Sequence, residues 1–206
     1  MLRIWGRMSS INVRKVVWTV QALGLAHQRT DAGGPFGVVQ TPDYLAHNPN
    51  ALVPLLEDGP FVLWESNVIV RYLCAKHSDG HLYPNGLEAR FDAERWMDWQ
   101  QTTLNPAGRD AFVQLIRKPG GQVDAAKVEA SVAATGPLLD MLDAHLARRP
   151  FMAGDTLTMA DIPVACEIHR WWGLPLPRKA RPHLEAWYRQ MLAHPASGGV
   201  LDLALS

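Results

Sequence analysis

The stretch from Asn48 to Leu73 constrains the fold more than any other part of the chain. Two short apolar runs flank Asp58-Gly59, a strong hairpin signal. Leu52-Val53 comes just before Pro54, whose ring excludes the α region for its predecessor, so the chain is extended there. Ile69, Tyr72 and Leu73 then recur at helical spacing, in a helix that opens at Glu65-Ser66. A proline in the first strand cannot donate to the ladder, so it implies an edge, a bulge or a cis turn. The main chain of Val53 is then free to pair with something outside the sheet, such as an extended peptide. Ser66, at the positive end of the next helix, offers a hydroxyl and N–H groups to an anion. Glu65 beside it suits an ammonium. Together they match the zwitterionic end of an amino acid.

Composition narrows the possible partners. Lys+Arg and Asp+Glu number 20 each, giving zero net charge, so no nucleic-acid partner is expected and nothing favours an anionic membrane. The two cysteines, Cys74 and Cys166, are far apart and form no C-x-x-C pair; each reads as a small buried hydrophobe. The eight histidines are scattered, with His77 and His81 in or beside a linker, and no metal site is expected. The opening Met-Leu-Arg-Ile-Trp-Gly-Arg has no signal-type apolar stretch, and no segment is long enough to span a bilayer. A cytoplasmic protein is expected.

Leu2 to Trp5 reads as a strand ended by Gly6. Val13, Val16, Val17, Val20 and Leu23 mark a helix from Ile11 to Leu23, with Gly24 as its stop. Ala26 to Asp31 reads as a half-polar strand, and Gly33-Gly34-Pro35 with Thr41-Pro42 as a loop. The order is βα, β, then ββα. Beyond residues 79–86, a linker containing Gly80, Pro84 and Gly86, strand signals disappear. A long amphipathic helix is expected over Leu87–Leu104, closed by Asn105-Pro106, with shorter helical patterns on either side of Pro119-Gly120-Gly121. Val123–Leu146 should kink or break at Gly136-Pro137. Thr158 with Asp161 three residues on approximates a capping box, and Leu157 with Ile162 a hydrophobic staple; that reading is structural, not catalytic. Pro182–Ala193 presents Leu184, Trp187, Tyr188 and Met191 on one helical face.

Val53-Pro54-x-Leu56 followed by Glu65-Ser66-x-x-Ile69-x-x-Tyr72-Leu73 resembles the glutathione-binding signature of the glutathione S-transferase family. The resemblance covers nearly the whole chain. It implies an α+β protein: a thioredoxin-like, glutathione-binding domain over residues 1–78 and an all-helical domain over 87–206. It further implies a cis Pro54, Val53 bonded to the cysteinyl backbone of glutathione, and Glu65 and Ser66 holding the γ-glutamyl end. Glutathione would be a co-substrate with no tightly bound cofactor, the second substrate a small hydrophobic electrophile bound between the domains, and the assembly a homodimer.

The family ionises the thiol of glutathione. A free thiol has a pKa of about 8.5, and lowering it by two units takes about 2.7 kcal/mol. One or two donors at a helix N-terminus, each worth about 1.5–3 kcal/mol to a charged acceptor, are enough without a general base. They should lie in Met8-Ser9-Ser10-Ile11-Asn12-Val13-Arg14-Lys15-Val16. This stretch has neither tyrosine nor cysteine, and it resembles the serine-type classes, whose Ser-x-x-x-Arg-x-Val pattern falls on Ser10. Asn-x-x-Lys-Val at Asn12 resembles a bacterial and fungal group that uses an asparagine amide. Ser10 is read as thiolate donor and Asn12 as second donor, with Ser9 the alternative register. Ser10 also occupies an ordinary N-cap position, and an asparagine at a helix start is routinely structural.

If Asn12 dominates the sulfur contact, a glutathione-dependent disulfide or peroxide reductase becomes the rival; a non-catalytic binding module is another. Trp96, Trp99, Trp171 and Trp172 read as core with one indole available to the cleft, and Arg109 as a solvated side chain near it. Two departures from the pattern stand out. Asn48-Pro49-Asn50 is followed by Ala51 instead of glycine, and Asn67 follows Glu-Ser; no residue is assigned to the glycyl carboxylate.

Overall fold

The computed structural model describes residues 1–118 and 120–206; Pro119, read above as punctuation, lies outside the described residues. Strand β1 (Leu2–Trp5) lies inside a four-stranded sheet ordered β2-β1-β3-β4. β2 (His27–Thr30) pairs with it in parallel, and β3 (Leu55–Asp58) pairs antiparallel to it and to β4 (Phe61–Trp64). Leu2 is opposite both His27 and Asp58, and Trp5 opposite Thr30 and Leu55. The parallel pair requires a crossover, which helix α1 (Ile11–Ala22) supplies. Val13, Val16 and Val20 of α1 are fully buried, as are Ile69, Val70 and Leu73 of α3 (Ser66–His77).

Two details of the first half differ from expectation. The ladder of β3 starts at Leu55, so Pro54 stands just before the strand, where its missing N–H costs no ladder bond. The supposed loop at Thr41-Pro42 opens a short helix, α2 (Pro42–His47): Thr41 caps it by accepting the Tyr44 N–H at 3.3 Å, with proline in the first turn. The Thr-Pro-Asp order already carried that signal.

After α2, Ala51 adopts φ 54°, the left-handed region that costs an L residue about 1–2 kcal/mol. This explains why the glutathione-binding pattern has glycine here. Ala51→Gly is expected to raise the melting temperature by about 2 °C, glycine's larger unfolded-state entropy offsetting part of the relief. A lower melting temperature would show that the Ala51 methyl contributes more by packing than it costs in strain.

The second half is helical. Residues Leu87–Trp99 form α4, Gln100–Leu104 a π-helical turn, Asn105–Phe112 α5, and Val113–Arg117 a second π-helical turn. Asn105-Pro106 therefore does not close the helix. The wide turn before it already departs from i→i−4 bonding, so a proline at the start of α5 interrupts no regular ladder. Helix α6 (Ala125–Leu146) likewise runs unbroken through Pro137, and the Gly136 carbonyl at that turn accepts a 3.0 Å bond from Arg181 Nη2.

Helix α7 (Asp161–Trp172) starts at the residue expected at N3 of the box, yet the box bonds form: Asp161 accepts the Thr158 N–H at 2.9 Å and Thr158 Oγ1 the Ala160 N–H at 3.3 Å. Helix α8 spans Pro182–Ala193, as the pattern predicts. One hydrophobic core joins the halves, with Trp18 of α1 and Trp187 of α8 both within it. Cys74 and Cys166 are fully buried there, and burial pushes both thiols up to about 12, so they behave as the small hydrophobes expected.

Candidate active site

The loop from β1 to α1, the turn before β3 and the start of α3 converge on one cleft. Asn12, Val53, Pro54, Glu65 and Ser66 line it, joined from the first π-helical turn by Gln101. The Val53-Pro54 peptide is cis. The approach to Val53 is fixed from behind: Tyr44 Oη and Asn48 Nδ2 both donate to the Leu52 carbonyl, at 2.7 and 2.8 Å. The main chain of Val53 forms no hydrogen bond among the described residues, which leaves a short unpaired edge facing the cleft.

At the head of α3, Glu65 is in the N-cap position at φ 74° and its carboxylate makes no capping bond. A residue held at positive φ with its side chain unused for capping differs from an ordinary dipole-compensating acid. Ser66 is the first helical residue and is 3 % exposed, beside the free N–H groups of the helix start. Asn67 turns away: its Nδ2 donates to the Met97 carbonyl of α4 at 2.7 Å.

The β1–α1 loop is drawn close to Val53 because Gly6 has no side chain. A Cβ on Gly6, at φ 151°, would lie 2.4 Å from Val13 Cγ2 and 3.2 Å from the Val53 Cβ. Ser10 is the N-cap of α1 in extended conformation, and its hydroxyl makes no capping bond. The N-cap position is therefore filled without engaging the side chain. Asn12 lies on the cleft wall, and its buried Oδ1 has no hydrogen-bond partner. Ser9 and Ser10 are not among the residues lining the cleft around Val53 and Ser66; of the three loop candidates, Asn12 is.

Two basic residues of α1, present in the motifs but given no role from sequence, brace this loop. Arg14 is buried and donates to the carbonyls of Met8 at 2.7 Å, of Val200 and Leu203 at 3.1 Å, and of Ala204 at 2.8 Å. It ties the loop to the C-terminal segment. Lys15 is fully buried, with Nζ 2.9 Å from Gln100 Oε1 and 3.0 Å from Gln101 Oε1. Gln100 continues to Glu167 at 3.0 Å, and Glu167 pairs with Arg170. Burial pulls the Lys15 ammonium down to about 8, with Glu167 opposing the shift. Gln101 thus reaches the cleft from a π-helical turn held by Lys15, a placement with no signature in local sequence.

Among the other candidates, Arg109 is exposed and Trp96 is in the core, edge-on to Trp99 with centroids 5.3 Å apart. No group of His, Cys, Asp or Glu suited to a metal occurs among the described residues. Nor is any described helix long and apolar enough to cross a membrane.

A four-stranded β2-β1-β3-β4 sheet covered by helices, followed by an all-helical second part, is the architecture of a thioredoxin-like domain joined to a helical half. Comparison with known proteins gives the same class. The glutathione S-transferase N-terminal domain pattern matches residues 1–75 and the C-terminal domain pattern residues 125–190. Glutathione S-transferase GstB of Escherichia coli K12 is 39% identical over 208 residues, covering 100% of both chains. Glutathione S-transferase 3 of Zea mays is 34% identical over 202 residues, covering 95% of this chain and 90% of that one. The theta class glutathione S-transferase of Xanthomonas axonopodis pv. citri, solved with glutathione bound, superposes with a TM-score of 0.96 at 41% identity, over 100% of this chain and 99% of that one. The chain belongs to the glutathione S-transferase family.

Proposed function

We propose that the protein binds glutathione in the Val53–Ser66 cleft, ionises its thiol and presents the thiolate to a small hydrophobic electrophile. One juxtaposition carries this reading. The unused Val53 main chain, the uncommitted Glu65-Ser66 pair and an Asn12 amide with an orphaned oxygen share one cleft. Val53 pairs with the cysteinyl backbone, Glu65 takes the γ-glutamyl ammonium, and Ser66 with the α3 N-terminus takes its carboxylate.

Ser10, its hydroxyl free of capping, and Asn12 donate to the sulfur. Arg14 is a positioning residue that holds the loop carrying both. Glutathione is a co-substrate, not a tightly held group. Residues 1–78 supply its site, residues 87–206 complete the electrophile's cleft, and 79–86 link them. The assembly is a cytoplasmic homodimer. The exposed apolar side chains Phe61, Trp64 and Val68 on β4 and α3, with Leu87 and Phe91 on α4, support a self-association face.

Titration calorimetry with glutathione tests binding, followed by turnover of an aromatic halide, a peroxide and a mixed disulfide. Ser66→Ala is expected to weaken glutathione binding about tenfold, the scale of one charge-assisted hydrogen bond; an unchanged dissociation constant would remove Ser66 from the site. One observation supports a second reading: Asn12, not Ser10, lines the cleft, which fits a glutathione-dependent reductase. Faster turnover of the disulfide or peroxide than of the halide would favour it.

A further inference from the structure

Two guanidiniums at the β1–α1 loop lie outside the lining of the Val53–Ser66 cleft. Arg117, at the end of the second π-helical turn, donates from Nη2 to the Ser9 carbonyl at 2.9 Å. Arg7, two residues before Ser9, lies against Gly33 and Gly34, where a Cβ would come within 2.6 and 3.0 Å of its guanidinium. Both Nε atoms are buried without a hydrogen-bond partner. Neither side chain belongs to any of the ion pairs formed among the described residues. Burial first, then the charges of Arg7 and Arg170, hold the Arg117 guanidinium below its ordinary value.

The surroundings make these charges more telling. The Arg117 guanidinium lies 5.2 Å from the centroid of the buried Phe112 ring, with Arg170 5.1 Å from the same ring. Arg170 is neutralised by Glu167, whereas Arg117 and Arg7 have no carboxylate of their own. Phe112 belongs to an apolar cluster separate from the main core, packed with Ile116 and Trp171. The Phe112 ring and the Ser9 carbonyl each favour the Arg117 cation, and an anion reaching both unpaired guanidiniums would add charge-assisted hydrogen bonds. Neither arginine is among the residues lining the Val53–Ser66 cleft, and the glutathione KM in the test below separates a role toward the glycyl carboxylate.

We propose that Arg7 and Arg117 recognise an anionic group on the second substrate, so that the preferred electrophile is an aromatic or apolar molecule carrying a carboxylate. This rests on the transferase reading above and names its substrate class. In the reaction the glutathione sulfur forms a bond to the electrophilic carbon, the leaving group departs with its bonding pair, and the thiol proton goes to solvent. The carboxylate is held by the two guanidiniums and takes no part in bond making.

The test uses 4-(chloromethyl)benzoate and its uncharged methyl ester, which displace the same chloride. The readout is the ratio of their kcat/KM values, each corrected for the uncatalysed reaction. The full-length protein is expected to favour the carboxylate by about tenfold, one charge-assisted bond's worth. Arg117→Met and, separately, Arg7→Met should bring the ratio towards one, while Arg117→Lys should keep part of the preference. A ratio unmoved in both methionine variants overturns the inference. So does a raised KM for glutathione with the ratio unmoved, which would assign the arginines to the glycyl carboxylate. If the protein conjugates neither compound, the transferase reading falls and this inference with it; if it conjugates both without preference, only this inference falls.

Discussion

Replacing Asp161 with alanine is expected to cost about 3–5 kcal/mol of stability, a large share of the 5–15 kcal/mol typical of a folded protein. The carboxylate is fully buried and accepts four hydrogen bonds. Three come from N–H groups at 2.9 Å, those of Met152, Thr158 and the Trp187 indole; the fourth comes from the Thr158 hydroxyl at 3.3 Å. Alanine strands those donors in a dry interior, at about 1–3 kcal/mol for each one left unsatisfied. It also removes one polar tie among α7, α8 and the Met152 turn, which remain in contact through the shared core and the His169–Tyr188 bond. Urea unfolding measures the loss, and a change below about 1 kcal/mol would show that water or movement replaces the acceptor.

The same residue gives the stability a pH dependence of definite sign. Burial outweighs the four donors and raises the folded carboxyl from its ordinary 3.8 to about 6. Between those values the folded protein keeps a proton that the unfolded chain has released. The contribution of Asp161 is therefore greatest below pH 4 and falls by about 3 kcal/mol as pH rises to 6. The stability gap between the wild type and Asp161→Ala should accordingly be wider at pH 4 than at pH 7.

Ser10→Ala should raise the pKa of enzyme-bound glutathione thiol by about one to two units, because one hydrogen bond to a charged acceptor is worth about 1.5–3 kcal/mol. At neutral pH, conjugation should slow about ten- to hundredfold while glutathione affinity changes little, since the proposed grip is on the backbone and γ-glutamyl end of the tripeptide. Ultraviolet titration of the bound thiolate reads the shift directly, and the acidic limb of the pH–rate profile reads it in turnover. A thiolate that titrates unchanged would pass the role to the Nδ2 donor of Asn12, the loop candidate that lines the cleft.

What could be read in the chain itself was local. Val53-Pro54, Asp58-Gly59, Glu65-Ser66, the Thr158–Asp161 cap and the helix over Pro182–Ala193 each depend on residues a few positions apart, where proline geometry, turn chemistry and capping act at once. Interruptions were harder to read. Pro106 and Pro137 read as stops because proline breaks an ideal ladder, but a π-helical turn precedes the first, and α6 continues through the second without a break. Only the tertiary structure decided that Arg14 ties the β1–α1 loop to the far end of the chain, that Lys15 holds Gln101 in the cleft, and that Arg117 reaches Ser9 across 108 positions. Those contacts are made by side chains whose partners are set by how the helical half packs on the sheet, and spacing along a sequence carries no record of that distance.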